Sequence, residues 1–192
     1  MNKPPRTFKV AFIGSHGVGK TTLCYGLAAR LKANDVSLEI VHEVARRCPL
    51  PINEETSLEA QSWILHTQIA EELVAVSRYQ AVVCDRSVLD NYVYLLLAEG
   101  PQDTLESLVH NWMESYDLLV HVPILTTPSA DGVRATDPSF QAAVDDRLRR
   151  EISARNLECL DLERSDRDGW LARVAEAVFE RLDSSTRAGV RL

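Results

Sequence analysis

Residues Gly14-Ser15-His16-Gly17-Val18-Gly19-Lys20-Thr21 fit the pattern G-x-x-x-x-G-K-[ST] in full, and this stretch limits the fold more than any other. Its glycines let the backbone curl until several N–H groups point at one anion. The flanks suit that task. Upstream, Phe8-Lys9-Val10-Ala11-Phe12-Ile13 is short, rich in β-formers and stopped by Gly14, which reads as a buried strand. Downstream, Lys20 to Lys32 carries Leu23, Leu27, Ala28 and Leu31 at helical spacing, and Asn34-Asp35 breaks it. A strand that feeds a glycine loop, which then opens a helix, adds the helix's positive end to the anion site. The reading is a phosphate-binding loop in which Gly14, Ser15, His16, Gly17, Val18, Gly19, Lys20, Thr21 and Thr22 hold a nucleotide. Lys20 would reach the β- and γ-phosphates and Thr21 would hold Mg²⁺ through its hydroxyl. His16 reads as a tolerated exposed residue.

The rest of the chain continues the alternation. Strands are expected at Ser37–His42, Ala81–Cys84, Leu118–Val122 and Leu157–Leu162. Helices are expected at Ser57–Arg78, Val88–Ala98, Asp103–Ser115, Pro138–Ser153 and Asp168–Leu182, with Ser57 as a cap. Strands alternating with helices give an α/β protein, a five-stranded parallel sheet with helices on both faces. The strands are continuous apolar runs, as a doubly covered sheet requires. At 192 residues, against roughly 150 per domain, one domain over 1–192 is expected, with a polar, frayed end over 183–192. The formal charge of -7 argues against stable binding of nucleic acid or an anionic membrane, but a small phosphorylated ligand needs only a local basic cleft. The four cysteines, Cys24, Cys48, Cys84 and Cys159, form no C-x-x-C pair and read as free thiols of a reducing compartment. The N-terminus has no apolar leader core and no apolar run reaches about 18 residues, so a soluble cytoplasmic protein is expected.

Asp85 ends a buried strand at the carboxyl edge of the sheet, where open parallel sheets bind ligands. It can hold Mg²⁺, act in catalysis or cap the next helix. The run Asp85-Arg86-Ser87 resembles the Asp/Glu-Arg-Ser motif of deoxynucleoside kinases and the Asp-Arg-Tyr of thymidylate kinases, and Leu89-Asp90-Asn91-Tyr92-Val93-Tyr94 resembles the helix that follows it. The chain is thus similar to P-loop small-molecule kinases, and also to the ATPase-domain family that includes the ribosylnicotinamide kinase domain. This resemblance implies strand order 2-3-1-4-5, a lid, and transfer of the γ-phosphoryl group of ATP, with Mg²⁺, to a small-molecule acceptor, a nucleoside or nucleotide. It implies that Arg86 meets the acceptor and that Glu43, after the second strand, is a general base; a solvated loop is the other reading of Glu43. Arg46 would face the same cleft. Gln61 or Gln68, on the long helix over the acceptor, would read the base edge, and the sequence does not choose between them.

The same resemblance places a lid after the fourth strand, with Arg134 and Arg147 as its phosphate-clamping residues and therefore, with Lys20, Glu43, Asp85 and Arg86, as catalytic candidates. Other members of this broad group are set aside. There is no Asn-Lys-x-Asp guanine motif, no Asp-Gly-Phe-Pro-Arg run of adenylate kinases, and no second-domain region of an oligomeric AAA+ motor. The acceptor signature is weaker than the phosphate loop. A nucleotide-dependent switch or an ATPase with a protein or lipid partner is therefore the alternative, and a homodimer is the expected assembly by analogy with such kinases.

Overall fold

The computed structural model describes residues 6–125 and 137–189, with side chains described as far as residue 182. Its elements, in chain order, are β1 (Phe8–Ile13), α1 (Lys20–Ala33), β2 (Leu38–Val41), α2 (Leu58–Val76), β3 (Ala81–Asp85), α3 (Val88–Ala98), α4 (Asp103–Met113), β4 (Leu118–His121), α5 (Pro138–Ala154), β5 (Leu160–Asp161) and α6 (Trp170–Gly189). Short 3-10 turns cover Val44–Arg47, Asn53–Glu55 and Arg164–Asp166. The sheet has the order β2-β3-β1-β4-β5 and every pairing is parallel. The expected α/β sheet and its strand order are both present.

Alternation along β1 shows why the strand must be apolar throughout. Phe8, Val10 and Phe12 pack with Leu23, Leu27 and Leu31 of α1 and with Val174 and Val178 of α6. Ala11 and Ile13 face the other way, onto Leu65 of α2, Val93 of α3, Val109 of α4 and Leu148 of α5. Two cores therefore grip one sheet, and a side chain of either parity is buried. Lys9 shares the parity of Ala11 and is 2% exposed, an ammonium inside the α2 side of the molecule.

Local chemistry sets the helix ends. Ser57 accepts the Ala60 N–H and starts α2, as expected. Ser87 and Asp90 form a reciprocal capping box at α3. Asp137 caps α5, with Pro138 in its first turn. Several boundaries differ from expectation, and three of them change the end of an element. β5 shrinks to two residues, because only Leu160 and Asp161 reach β4 in register. α4 stops at Met113, where the chain must turn toward β4. α6 runs on to Gly189, so the helix continues into the segment expected to fray from Asp183. No helix of the described residues is long and apolar enough to cross a membrane.

Candidate functional site

The site lies where the loops after β1 and β2 meet the β3–α3 junction, at the carboxyl edge of the sheet. Gly14, Gly17 and Gly19 hold φ values of 139°, 75° and 99°, a region that other residues enter at a cost. A Cβ on Gly14 would sit 2.6 Å from the Val122 carbonyl oxygen. The loop is tied down on two sides. Asp90 Oδ1 accepts the Gly14 N–H at 2.9 Å, while its Oδ2 accepts the N–H and the hydroxyl of Ser87, each at 2.8 Å. From α5, the Gln141 carbonyl accepts the Ser15 hydroxyl at 2.9 Å, and Gln141 Nε2 donates to the His16 carbonyl at 2.8 Å.

His16 is not exposed as expected. It is 2% exposed, its ring stacks on Phe140 at 5.9 Å, and its Nδ1 lies 3.2 Å from the Tyr94 hydroxyl. At that loop position the side chain turns inward, between α3 and α5, whereas Gly19 and Thr22 face solvent.

Lys20 Nζ donates to the carbonyls of Gly14 at 2.8 Å and Ser15 at 2.6 Å. Burial, reinforced by the Arg86 charge, lowers its ammonium to about 8. The Thr21 hydroxyl donates to Asp85 Oδ2 at 2.5 Å. Ser87 caps α3, so the capping alternative for Asp85 is taken by its neighbour. Thr21 and Asp85 set two oxygen donors side by side next to the loop. This donor chemistry fits Mg²⁺, which takes oxygen ligands and completes its shell with phosphate and water.

Beside the loop is a small polar cleft lined by Glu43, Arg46, Gln61, Arg86, Asn91 and Tyr94, among others. Arg86 is 5% exposed. Its Nε donates to Glu43 Oε1 at 2.7 Å, its guanidinium carbon lies 5.3 Å from the centre of the Tyr94 ring, and its buried Nη1 has no hydrogen-bond partner. Arg46 Nε donates to the other Glu43 oxygen at 2.8 Å. Burial alone would raise the Glu43 carboxyl. Arg86, Lys20 and Arg46 outweigh it and hold Glu43 well below the usual carboxylate range. Gln61 donates from Nε2 to the Thr56 hydroxyl at 2.8 Å, and its buried Oε1 has no partner.

The structure thus brings together the loop, Thr21, Glu43, Arg46, Gln61, Asp85 and Arg86. Of the two glutamines, Gln61 lines the cleft. Gln68 lies beneath it, with its amide engaged by Glu72, Asn91 and the Arg86 carbonyl. Arg147 is not brought to the cleft either: it pairs with Glu151 along α5 at 2.9 Å, because its position on the helix faces the next turn. Arg134 lies outside the described residues. Arg47 turns to Glu71 of α2, and His42 is exposed beside Tyr25. His121, at the end of β4, is packed between Asp145 of α5 at 3.0 Å and Asp161 of β5 at 3.2 Å.

Sequence reasoning gave no role to Asp90, Asn91, Tyr94 or Gln141. A signal existed for three of them. Ser87, Asp90, Asn91 and Tyr94 form a polar ridge at helical spacing on an otherwise apolar helix, opened by a capping-box pair. Gln141 carried no such mark.

A family model described as an AAA domain matches residues 9–168. The chain belongs to this AAA domain family. The match runs from β1 to the segment before α6 and takes in the loop and the cleft. It makes the protein a P-loop nucleotide-binding domain with a nucleotide-dependent activity, without singling out a kinase. No curated protein matches the chain.

Proposed function

We propose that this AAA domain protein transfers the γ-phosphoryl group of ATP to a small hydroxyl or phosphate acceptor of the nucleoside or nucleotide class. The observation that carries the reading is the buried Arg86 guanidinium, which keeps an unpartnered Nη1 and is bonded to Glu43. Glu43, with Arg46, Thr21 and Asp85, lines an open cleft of about 690 Å³. A cleft of that volume has room for a second substrate.

In this reading the loop N–H groups and Lys20 cradle the polyphosphate and leave the γ-phosphoryl group facing the cleft. Mg²⁺, held by Thr21 and Asp85, would supply charge neutralisation on the phosphate oxygens. Arg86 Nη1 donates to the acceptor or to the transferring group, where negative charge shifts during transfer. Glu43 is a weak base, since the arginines stabilise its ionised form. It therefore orients the acceptor through a hydrogen bond and takes the proton late. A loose phosphoryl-transfer transition state tolerates this, because the acceptor oxygen bonds little before the leaving group departs. Gln61 Oε1 remains as an acceptor for an N–H or O–H of the bound molecule.

The reading is tested with Arg86→Lys. It should retain ADP binding and lose acceptor-stimulated ADP release by about 100-fold or more, since lysine cannot hold Glu43 and reach the cleft at once. Acceptor-stimulated release at the wild-type rate would remove Arg86 from the mechanism.

A nucleotide-dependent binding switch is the second reading. The observation favouring it is the open groove between β2 and α2, lined by Ile40, Val41, Ala70 and Val74, with Leu73 and Val74 about half exposed. A pull-down whose partners differ between the ADP and ATP-analogue states would support it. Identical partners in both states would count against it.

A further inference from the structure

We propose that Gln68 is a positioning residue for Arg86, and that the buried cluster of Lys9, Glu72, Trp112 and Tyr116 exists to orient it. The proposal rests on the reading of Arg86 as the group that meets the acceptor.

Arg86 has φ 96°, a left-handed conformation that a long side chain adopts only when its surroundings hold it there. Its backbone is gripped on both sides. The N–H donates to the Phe12 carbonyl at 3.1 Å, and the carbonyl accepts from Gln68 Nε2 at 2.9 Å. This backbone turn aims the guanidinium back over Tyr94 and into the cleft instead of along α3.

Gln68 can hold that carbonyl because its own amide is fixed. Nε2 also donates to Glu72 Oε1 at 2.9 Å, and Oε1 accepts from Asn91 Nδ2. A carbonyl and a carboxylate are both acceptors, so only the NH₂ end of the amide can face them. Glu72 is fully buried and takes three further donors: Lys9 Nζ at 2.6 Å, Trp112 Nε1 at 2.7 Å and the Tyr116 hydroxyl at 2.7 Å. The Lys9 ammonium in turn lies 4.2 Å from the Tyr116 ring centre and 4.7 Å from that of Trp112.

A buried ion pair adds little net stability over an apolar pair of the same volume, so stability alone does not account for this cluster. Its fully satisfied carboxylate leaves Gln68 one orientation, and that orientation ends on Arg86. The polar chain therefore runs from the start of β1, through α2, to the backbone of the cleft's arginine.

The test uses Gln68→Met, which keeps the length and removes every hydrogen bond of the amide. The reporter is the Arg86 Nε–H cross-peak in a nitrogen–proton spectrum, identified by its loss in Arg86→Lys. In the wild type this proton is bonded to the partly buried Glu43 and should exchange slowly. Gln68→Met should shift or broaden the peak while MgADP affinity stays within about twofold, because the phosphate loop is untouched. With an acceptor that supports turnover, kcat should fall about tenfold or more and KM for ATP should stay within about twofold, the mark of lost transition-state alignment. An unchanged Arg86 peak in folded Gln68→Met would overturn the proposal, whatever the turnover. A shifted peak in a protein that phosphorylates no acceptor would uphold the positioning and remove the kinase reading instead. If Gln68→Met does not fold, the wild type decides: both Gln68 side-chain N–H protons should resist exchange for hours, and exchange as fast as in an exposed glutamine would overturn the proposal.

Discussion

Arg86 and Lys20 share one field, and each shapes what the other can do. The Arg86 charge adds to burial in lowering the Lys20 ammonium to about 8, while Glu43, Asp85 and Asp90 pull it the other way. Below that value Lys20 is charged and ready for a phosphate. Above it the empty loop holds a neutral amine, and a bound polyphosphate must draw a proton back. Affinity for ADP, measured by calorimetry without divalent metal, should therefore be flat up to about pH 7.5. It should then fall toward a limiting slope of about tenfold per pH unit above 8. Lys20→Met should bind more weakly at every pH and show no such fall. A flat profile to pH 9.5 in the wild type would contradict the placement of Lys20 in the anion site. Glu43 titrates far below this window, so it contributes nothing to the slope.

At the scale of elements, the phosphate loop is a clamp between α3 and α5 as much as an opening to α1. Gly14→Ala would set a methyl 2.6 Å from the Val122 carbonyl at a φ that alanine avoids. A loss of at least about 2 kcal/mol in urea unfolding is expected. Asp90→Ala removes a capping partner and orphans the buried Gly14 N–H, which should cost about 1–3 kcal/mol and weaken ADP binding. Wild-type stability and affinity in Asp90→Ala would show that α3 does not hold the loop. The loop, the alternation of elements and Asp85-Arg86 were all legible in the sequence, because each is written in adjacent residues. The choice between Gln61 and Gln68 was not, since it depends on which turn of α2 crosses β3. The burial of His16 was equally hidden, because Phe140 and Gln141, which enclose it, lie over a hundred residues away. The pairing of Arg147 with Glu151 was hidden too, because a charged amphipathic helix looks the same whether its arginines meet phosphate or a glutamate one turn on.

At the scale of the molecule, two cores close on one sheet, and the site occupies only its carboxyl edge. Ligand binding should therefore stabilise the whole chain through the loop. At MgADP of about 100 times its Kd the gain is about 2.7 kcal/mol, or roughly 5–10 °C in melting temperature for a domain of this size, and Lys20→Ala should show none of it. The central claim, transfer to a second substrate in the Arg86 cleft, is tested most directly by ADP release from the purified protein with MgATP. The assay runs across a panel of nucleosides, nucleoside monophosphates and nicotinamide riboside, with Lys20→Ala as the blank. At least one compound should raise ADP release well above the blank and gain 80 Da, the mass of one phosphoryl group (roughly, by the stoichiometry of transfer). Tight ATP binding with no compound stimulating release would contradict the claim and leave the binding switch as the function of the domain.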